Sequence, residues 1–198
     1  MDTKNNKLQA KDLINVGIFT AIYFVLFFVG MMAGYIPIFI VLLPLICPIL
    51  CGIPFMLYLT KVKIFGMVTL TGLILGLLAL LMGSGIEVLV AGLVFGLLAD
   101  LIFKAGNYRS LKWTIIGNGV FSLWIMGYVS RMFLARDAYF AKVAAGYGQE
   151  YADTLMSYTP GWVFPTLFVV AFLGGVLGAL LGRAVLKKHF EKAGMLDA

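Results

Sequence analysis

Charge is what this sequence lacks most. Only 12% of its residues are Asp, Glu, Lys or Arg, where a soluble domain carries about 25%. Histidine is nearly absent: His189, in KKHFEK, is the only one. That leaves no HExxH helix and no imidazole cluster for a metal. Cysteine is scarce too. Cys47 and Cys51 stand four apart inside an apolar run, which is not a CxxC redox or zinc spacing. They read as two small buried residues on one helix face. No GxxxxGK[ST] phosphate loop is present, so the chain does not hydrolyse ATP by that chemistry. No cluster of carboxylates and no serine–base pair converges anywhere, which argues against an enzyme. No cofactor or metal is expected.

Apolar residues fill the gap, at 62% of the chain. One core of this size cannot hide that much apolar surface, so the solvent has to be lipid. Leu13 to Thr60 is a run of 48 residues without a charge, and Ile64–Ile86 and Thr154–Gly182 are two more. About 20 apolar residues span a bilayer as a helix, whereas a membrane barrel shows ~10-residue alternating segments. No such alternation appears. The pattern predicts an all-α integral membrane protein with a single membrane domain over residues 1–198. Six spans are read at about 13–33, 37–59, 64–83, 86–103, 111–133 and 161–186. The second carries Pro37, Pro44, Pro48 and Pro54, which predicts a kink or a local break. The first apolar run is too long for a cleavable signal peptide, and MDTKNNKLQAKD reads as a short cytoplasmic tail.

The cations set the orientation. Twelve fall at the two ends and in the 61–63, 104–112 and 183–192 segments, while only Arg131, Arg136 and Lys142 fall on the opposite side. The excess belongs in the cytoplasm, so both termini are expected inside and residues 134–160 outside. The net charge of +6 then reflects topology. Cations scattered over several short segments do not suit nucleic acid.

Small residues recur at spacing four: Gly17 and Ala21, Gly30 and Gly34, Gly72 and Gly76, Gly92 and Gly96, and Gly174, Gly178 and Gly182. Such faces let helices approach closely, either within the bundle or toward another membrane protein. The stretch LQAKDLINVGIFTAIYFVLFFVG, followed by the proline-studded second helix, resembles the start of an S component of an energy-coupling factor (ECF) transporter, of the Trep_Strep or MptD-type group. The likeness extends over the whole chain: about 200 residues, six spans, and a long outer segment before the last helix. S components carry small residues in the first helix, often AxxxA, that meet the coupling helices of a transmembrane T component. Gly17 and Ala21 fill that place here, with glycine for the first alanine. The resemblance implies a capture subunit that works with a T component and two ATPase subunits and topples in the membrane to release its substrate. It also implies a substrate site at the outer ends of the later helices, closed by outer loops.

Polar residues inside spans are functional candidates. Glu87 opens the fourth helix beside GSG (83–85) and is either a ligand contact or an interfacial carboxylate. Asp100 with Lys104 at i+4 reads as an ion pair, and Asn118 as an interhelical hydrogen bond. Trp124, Tyr128 and Arg131 share one helix face, which looks either into the bundle or out to lipid. Between the last two spans lies RDAYFAKVAAGYGQEYADTLMSY (136–158), the one long polar stretch. Phe140, Val143, Tyr147, Tyr151, Leu155 and Tyr158 recur every three or four residues, a helical stripe, and Gly146 and Gly148 divide it into two pieces. Its mixed charges suit a cover over the bundle better than a bed of anionic lipid. The reading is a lid over a small-molecule site, with Glu87, Trp124, Tyr128, Arg131, Tyr147, Tyr151, Tyr158 and Trp162 as candidate contacts. A vitamin-like, neutral or anionic aromatic compound, up to a tetrapyrrole ring, fits those side chains. Metal capture does not, because no histidine faces outward. The competing classes are a small secondary transporter or channel, which would favour mid-span carboxylates or inverted repeats, and a membrane enzyme.

Overall fold

The structure, a computed structural model, describes residues 9–187. His189 and the cations Lys4, Lys7, Lys188 and Lys192 lie outside the described residues. Among the described residues every regular element is helical. Nine α-helices follow in order: α1 Ala10–Met31, α2 Pro37–Lys61, α3 Met67–Leu81, α4 Ile86–Ala105, α5 Leu111–Ser122, α6 Met126–Leu134, α7 Arg136–Tyr147, α8 Gln149–Ser157 and α9 Val163–Val185. α1 runs on through a 3-10 turn to Tyr35, and α5 passes into α6 through another at Leu123–Ile125. Four of these helical stretches are long and apolar enough to cross a membrane: Ala10–Tyr35, α2, α4 and α9. α3 is apolar over 15 residues.

The helix ends follow local chemistry. α1 starts three residues before the expected boundary because Asp12 accepts the Gln9 N–H at 3.0 Å, a capping pair. α3 starts three residues late because Gly66 holds the left-handed φ of +93° just ahead of it. The N-terminus of α3 is then capped from another helix. Asp100 accepts the backbone N–H of Thr69 at 2.7 Å and its hydroxyl at 2.6 Å. This corrects the expected Asp100–Lys104 pair. Asp100 is fully buried, whereas Lys104 turns outward and sets its ammonium 5.0 Å from the centre of the Phe65 ring. A buried carboxylate is better served by two short hydrogen bonds to helix-terminal donors than by a cation that would have to leave water.

The prolines do not break α2, which is a single helix of 25 residues. Pro48 removes the helical donor to the Pro44 carbonyl. That carbonyl faces Gly174 of α9, where an added methyl carbon would come within 3.1 Å of it. The α-carbon hydrogens of a glycine can approach a carbonyl so closely. The tightening between α5 and α6 sits where Ser122 donates to the Asn118 carbonyl at 2.8 Å, one turn back along its own helix.

The long helices close into a ring by their contacts: α1 beside α2, α2 beside α9, α9 beside α5, α5 beside α4, α4 beside α3, and α3 back to α1. Glycines make the two closest seams. A methyl group on Gly52 would fall 2.4 to 2.6 Å from the backbone of Gly178, and one on Gly72 would fall 2.2 Å from the Gly92 carbonyl oxygen. Most of the repeated small residues are therefore internal packing surfaces. Gly17 and Ala21 are the exception: both are exposed, and a methyl on Gly17 would meet nothing within 4 Å. Aromatic rings fill the centre of the bundle, with Phe55 and Phe121 stacked at 4.4 Å and Tyr23 edge-on to both. Cys47 and Cys51 are fully buried against the α1 backbone. Asn118 donates to the Gly175 carbonyl at 2.6 Å, as its place in the sequence suggested.

Candidate functional site

The 136–158 segment folds into a helical hairpin. The break falls at Gly148, whose φ of +93° and ψ of 160° only glycine adopts without strain, while Gly146 stays inside α7. Because the helix restarts there, the stripe changes phase. Phe140, Val143 and Leu155 are buried as expected, and Ala152 and Thr159 join them. Tyr147 and Tyr158 are 57% and 41% exposed instead.

Three contacts fasten the hairpin. Arg136, at the start of α7, donates to the Thr159 carbonyl at 2.7 Å and the Met156 carbonyl at 3.1 Å, so it caps the end of α8. Its guanidinium also lies 4.9 Å from the centre of the Phe140 ring. The Tyr151 hydroxyl donates to the Gly34 carbonyl in the turn between α1 and α2. Tyr147 packs against both Tyr151, at 5.0 Å, and Tyr35, at 6.3 Å between ring centres. Burial first, and the neighbouring Tyr139 and Tyr147 second, push the Tyr151 phenol up to about 12. Burial pushes Tyr139 up as well.

Cavities open under α7 on both sides. One, of about 370 Å³, lies between α7, the start of α4 and α6; Tyr128, Arg131, Lys142 and Tyr147 line it with Ser84 and Gly85. The other, of about 380 Å³, lies between α7 and the α1–α2 turn; Met31, Met32, Tyr35 and Tyr151 line it. A smaller one of about 140 Å³ lies beside both, among Met31, Leu43, Tyr128 and Tyr139. Such volumes, mainly apolar with a few placed polar groups, are typical of small-molecule sites. Arg131 is only loosely committed. Its Nε is 3.9 Å from a Glu87 oxygen, and the two side chains are 42% and 39% exposed. An ion pair that open is worth about 0–1 kcal/mol, so an anionic ligand can compete for the guanidinium.

The structure gathers some of the expected residues and separates others. Tyr128, Arg131, Tyr147 and Tyr151 line the cavities, and Glu87 touches them through Arg131. Trp124 does not line them. It is 1% exposed and its indole donates to the Tyr23 hydroxyl at 3.0 Å. It stands one layer behind, packed on Tyr128 at 5.8 Å and on Phe27 at 4.8 Å. The Trp124–Tyr128–Arg131 face therefore looks into the bundle, with its deepest member walled off. Tyr158 and Trp162 lie away from these cavities. Trp162 is 70% exposed at the foot of α9, the setting of an interfacial aromatic.

Sequence reasoning missed Tyr139, Lys142 and the Met31–Met32 pair. Tyr139 sits one residue before the stripe, so periodicity assigns it to the flank. In the sequence Arg136 and Lys142 count only as cations of the 134–160 side that lie off the stripe. The latching role of Arg136 depends on a carbonyl 23 residues away, which no local pattern reports.

A family model described as a hypothetical bacterial integral membrane protein, Trep_Strep, matches residues 10–192. The chain belongs to the Trep_Strep family. The match takes in every helix described above and the hairpin with its cavities. No curated protein and no solved structure matches the chain.

Proposed function

We propose that this Trep_Strep protein is the substrate-capturing S component of an ECF-type importer in the bacterial cytoplasmic membrane. In this reading six segments cross the bilayer: α1, α2, α3, α4, α5 with α6, and α9. Both ends lie on the cytoplasmic side, and the α7–α8 hairpin covers the outer end of the bundle. A small micronutrient, vitamin-like or aromatic, binds beneath the hairpin. A T component and two ATPase subunits then drive its release inward.

The observation that carries the reading is the group of cavities under a fastened, polar hairpin that belongs to the cation-poor set of connecting segments, with the loosely paired Arg131 in one wall. Two further features agree with it. The Gly17–Ala21 face is the one small-residue stripe left open, as a docking surface for a T component needs to be. The buried carboxylate Asp100 is engaged as a helix cap, which suits a proton-coupled transporter poorly.

Native mass spectrometry of the protein purified alone tests capture. A bound small molecule of defined mass is expected. Co-expression with a T component and its ATPases tests the partnership, and a stable four-subunit complex is expected. A protein that neither carries a ligand nor joins such a complex would overturn the reading.

A further inference from the structure

The face of α7 that looks into the bundle is a ridge. Tyr139, Val143 and Tyr147 follow one another at spacing four, which stacks them on one side of the helix. Val143 and Tyr147 line both of the larger cavities. Tyr139, at the start of the ridge, lines these two and the small one as well. The small cavity shares Met31, Ile40 and Leu43 with one neighbour and Tyr128 with the other. It is therefore the passage between them, and Tyr139 lines all three.

The two sides differ in chemistry. The α4–α6 side holds two cations, Arg131 and Lys142. The α1–α2 side has no charged lining residue; Phe28, Met31, Met32, Ile40 and Leu43 make it apolar and, through the methionines, adaptable. Two tyrosines, Tyr151 and Tyr23, are tied down where Tyr139 is not. Tyr151 is bonded to the Gly34 carbonyl and Tyr23 to Trp124. Among the described residues the Tyr139 hydroxyl makes no hydrogen bond, and its ring is held by packing alone, edge-on to Phe140 at 5.3 Å. Turning it aside breaks no polar contact.

We propose that the cavities are two compartments of one site for an amphipathic anion, and that Tyr139 is the partition that sets how long a ligand can be. The acidic group sits at Arg131 and Lys142. A short apolar body stays in the cationic compartment. A longer one displaces the Tyr139 ring and runs through the passage into the methionine-lined compartment. Each large cavity is near the lower end of the range for small-molecule sites, about 300–1,000 Å³, and the joined space is near the upper end. The proposal rests on the capture reading above and adds the ligand class and the residue that limits its size.

The full-length protein in lipid nanodiscs tests it, with benzoate and p-terphenyl-4-carboxylate as short and long probes, their amides as neutral counterparts, and empty nanodiscs as the partition control. Tyr139→Ala is expected to tighten the terphenyl acid at least tenfold, about 1.4 kcal/mol, and to leave benzoate within about threefold, roughly half that free energy. Tyr139→Phe keeps the ring and is expected to bind both acids as wild type does, which also checks that substitution here preserves the fold. Arg131→Gln is expected to weaken both acids at least tenfold, again about 1.4 kcal/mol, and to spare the amides. Equal effects of Tyr139→Ala on short and long acids overturn the partition. Acids and amides bound alike, by wild type and Arg131→Gln, overturn the anionic class. If no probe binds any of the proteins, the capture reading of this site falls, and the partition falls with it.

Discussion

Gly52 and Gly17 lie in neighbouring helices with opposite surroundings, and substituting each tests which small residues pack and which dock. In Gly52→Ala the new methyl lands 2.4 to 2.6 Å from three backbone atoms of Gly178. No side chain can turn aside there, so α2 and α9 must separate by about an ångström to restore ordinary carbon contacts of about 3.5–4.0 Å. Overpacking of this kind costs typically 1–3 kcal/mol. A rigid backbone on both sides places this case at about 3. The better helix propensity of alanine returns up to about 1 kcal/mol. A net loss of about 2 kcal/mol remains, roughly thirtyfold in the folded-to-unfolded ratio. In Gly17→Leu the added side chain meets no protein atom within 4 Å of its β-carbon, so stability is expected to stay within about 0.5 kcal/mol, as for exposed sites generally. The assays are SDS- or heat-induced unfolding in mild detergent for stability, and pull-down with a T component for docking. Gly52→Ala should unfold earlier. Gly17→Leu should unfold like wild type and fail to join the complex. Equal destabilisation by the two would refute the packing argument, and normal assembly of a stable Gly17→Leu protein would refute the docking surface.

Other predictions concern the site and its supports. Arg131→Ala should weaken binding of the natural ligand at least tenfold, about 1.4 kcal/mol; unchanged affinity in a folded variant would remove Arg131 from the site. Tyr151→Phe deletes the bond to Gly34 and should cost the docked hairpin about 1 kcal/mol, read as faster proteolysis near Gly148 with an unchanged bundle. The Tyr151 phenol is held neutral in the folded protein, with its pKa pushed up to about 12. Its contribution to hairpin docking is therefore complete below the unfolded value of about 10 and lost as pH rises through the folded one. The late tyrosinate absorbance near pH 12 in ultraviolet titration should shrink by one phenol in Tyr151→Phe. Asp100→Ala leaves the Thr69 donors of α3 unpaired and should cost about 1.5–3 kcal/mol, while Lys104→Gln loses only a surface contact with Phe65, about 0.5–1 kcal/mol. Comparable losses for the two would restore the ion-pair reading.

The sequence by itself determined the solvent and the helices. Charge-free runs of bilayer length admit no other element, because lipid offers no partner for a backbone group left open. Turn glycines and the change from apolar to polar composition placed most helix boundaries within a few residues, and the hairpin was visible as the one polar stretch. The fate of individual residues was not visible. Gly17 and Gly52 are the same residue type in similar apolar company, and only the ring order of the helices makes one a seam and the other a bare surface. Asp100 has Lys104 within reach along its own helix, yet it is the α3 terminus, 31 residues away, that needs its oxygens. Trp124 and Tyr128 share a helix face, but depth in the bundle walls off the first and leaves the second in the cavity. Tyr139 lies outside the periodic stripe and stands where the three cavities meet. Local periodicity records which side of a helix is apolar. Only the packing of one helix on another decides what that side touches, because the contacts that settle it come from residues far away in the chain.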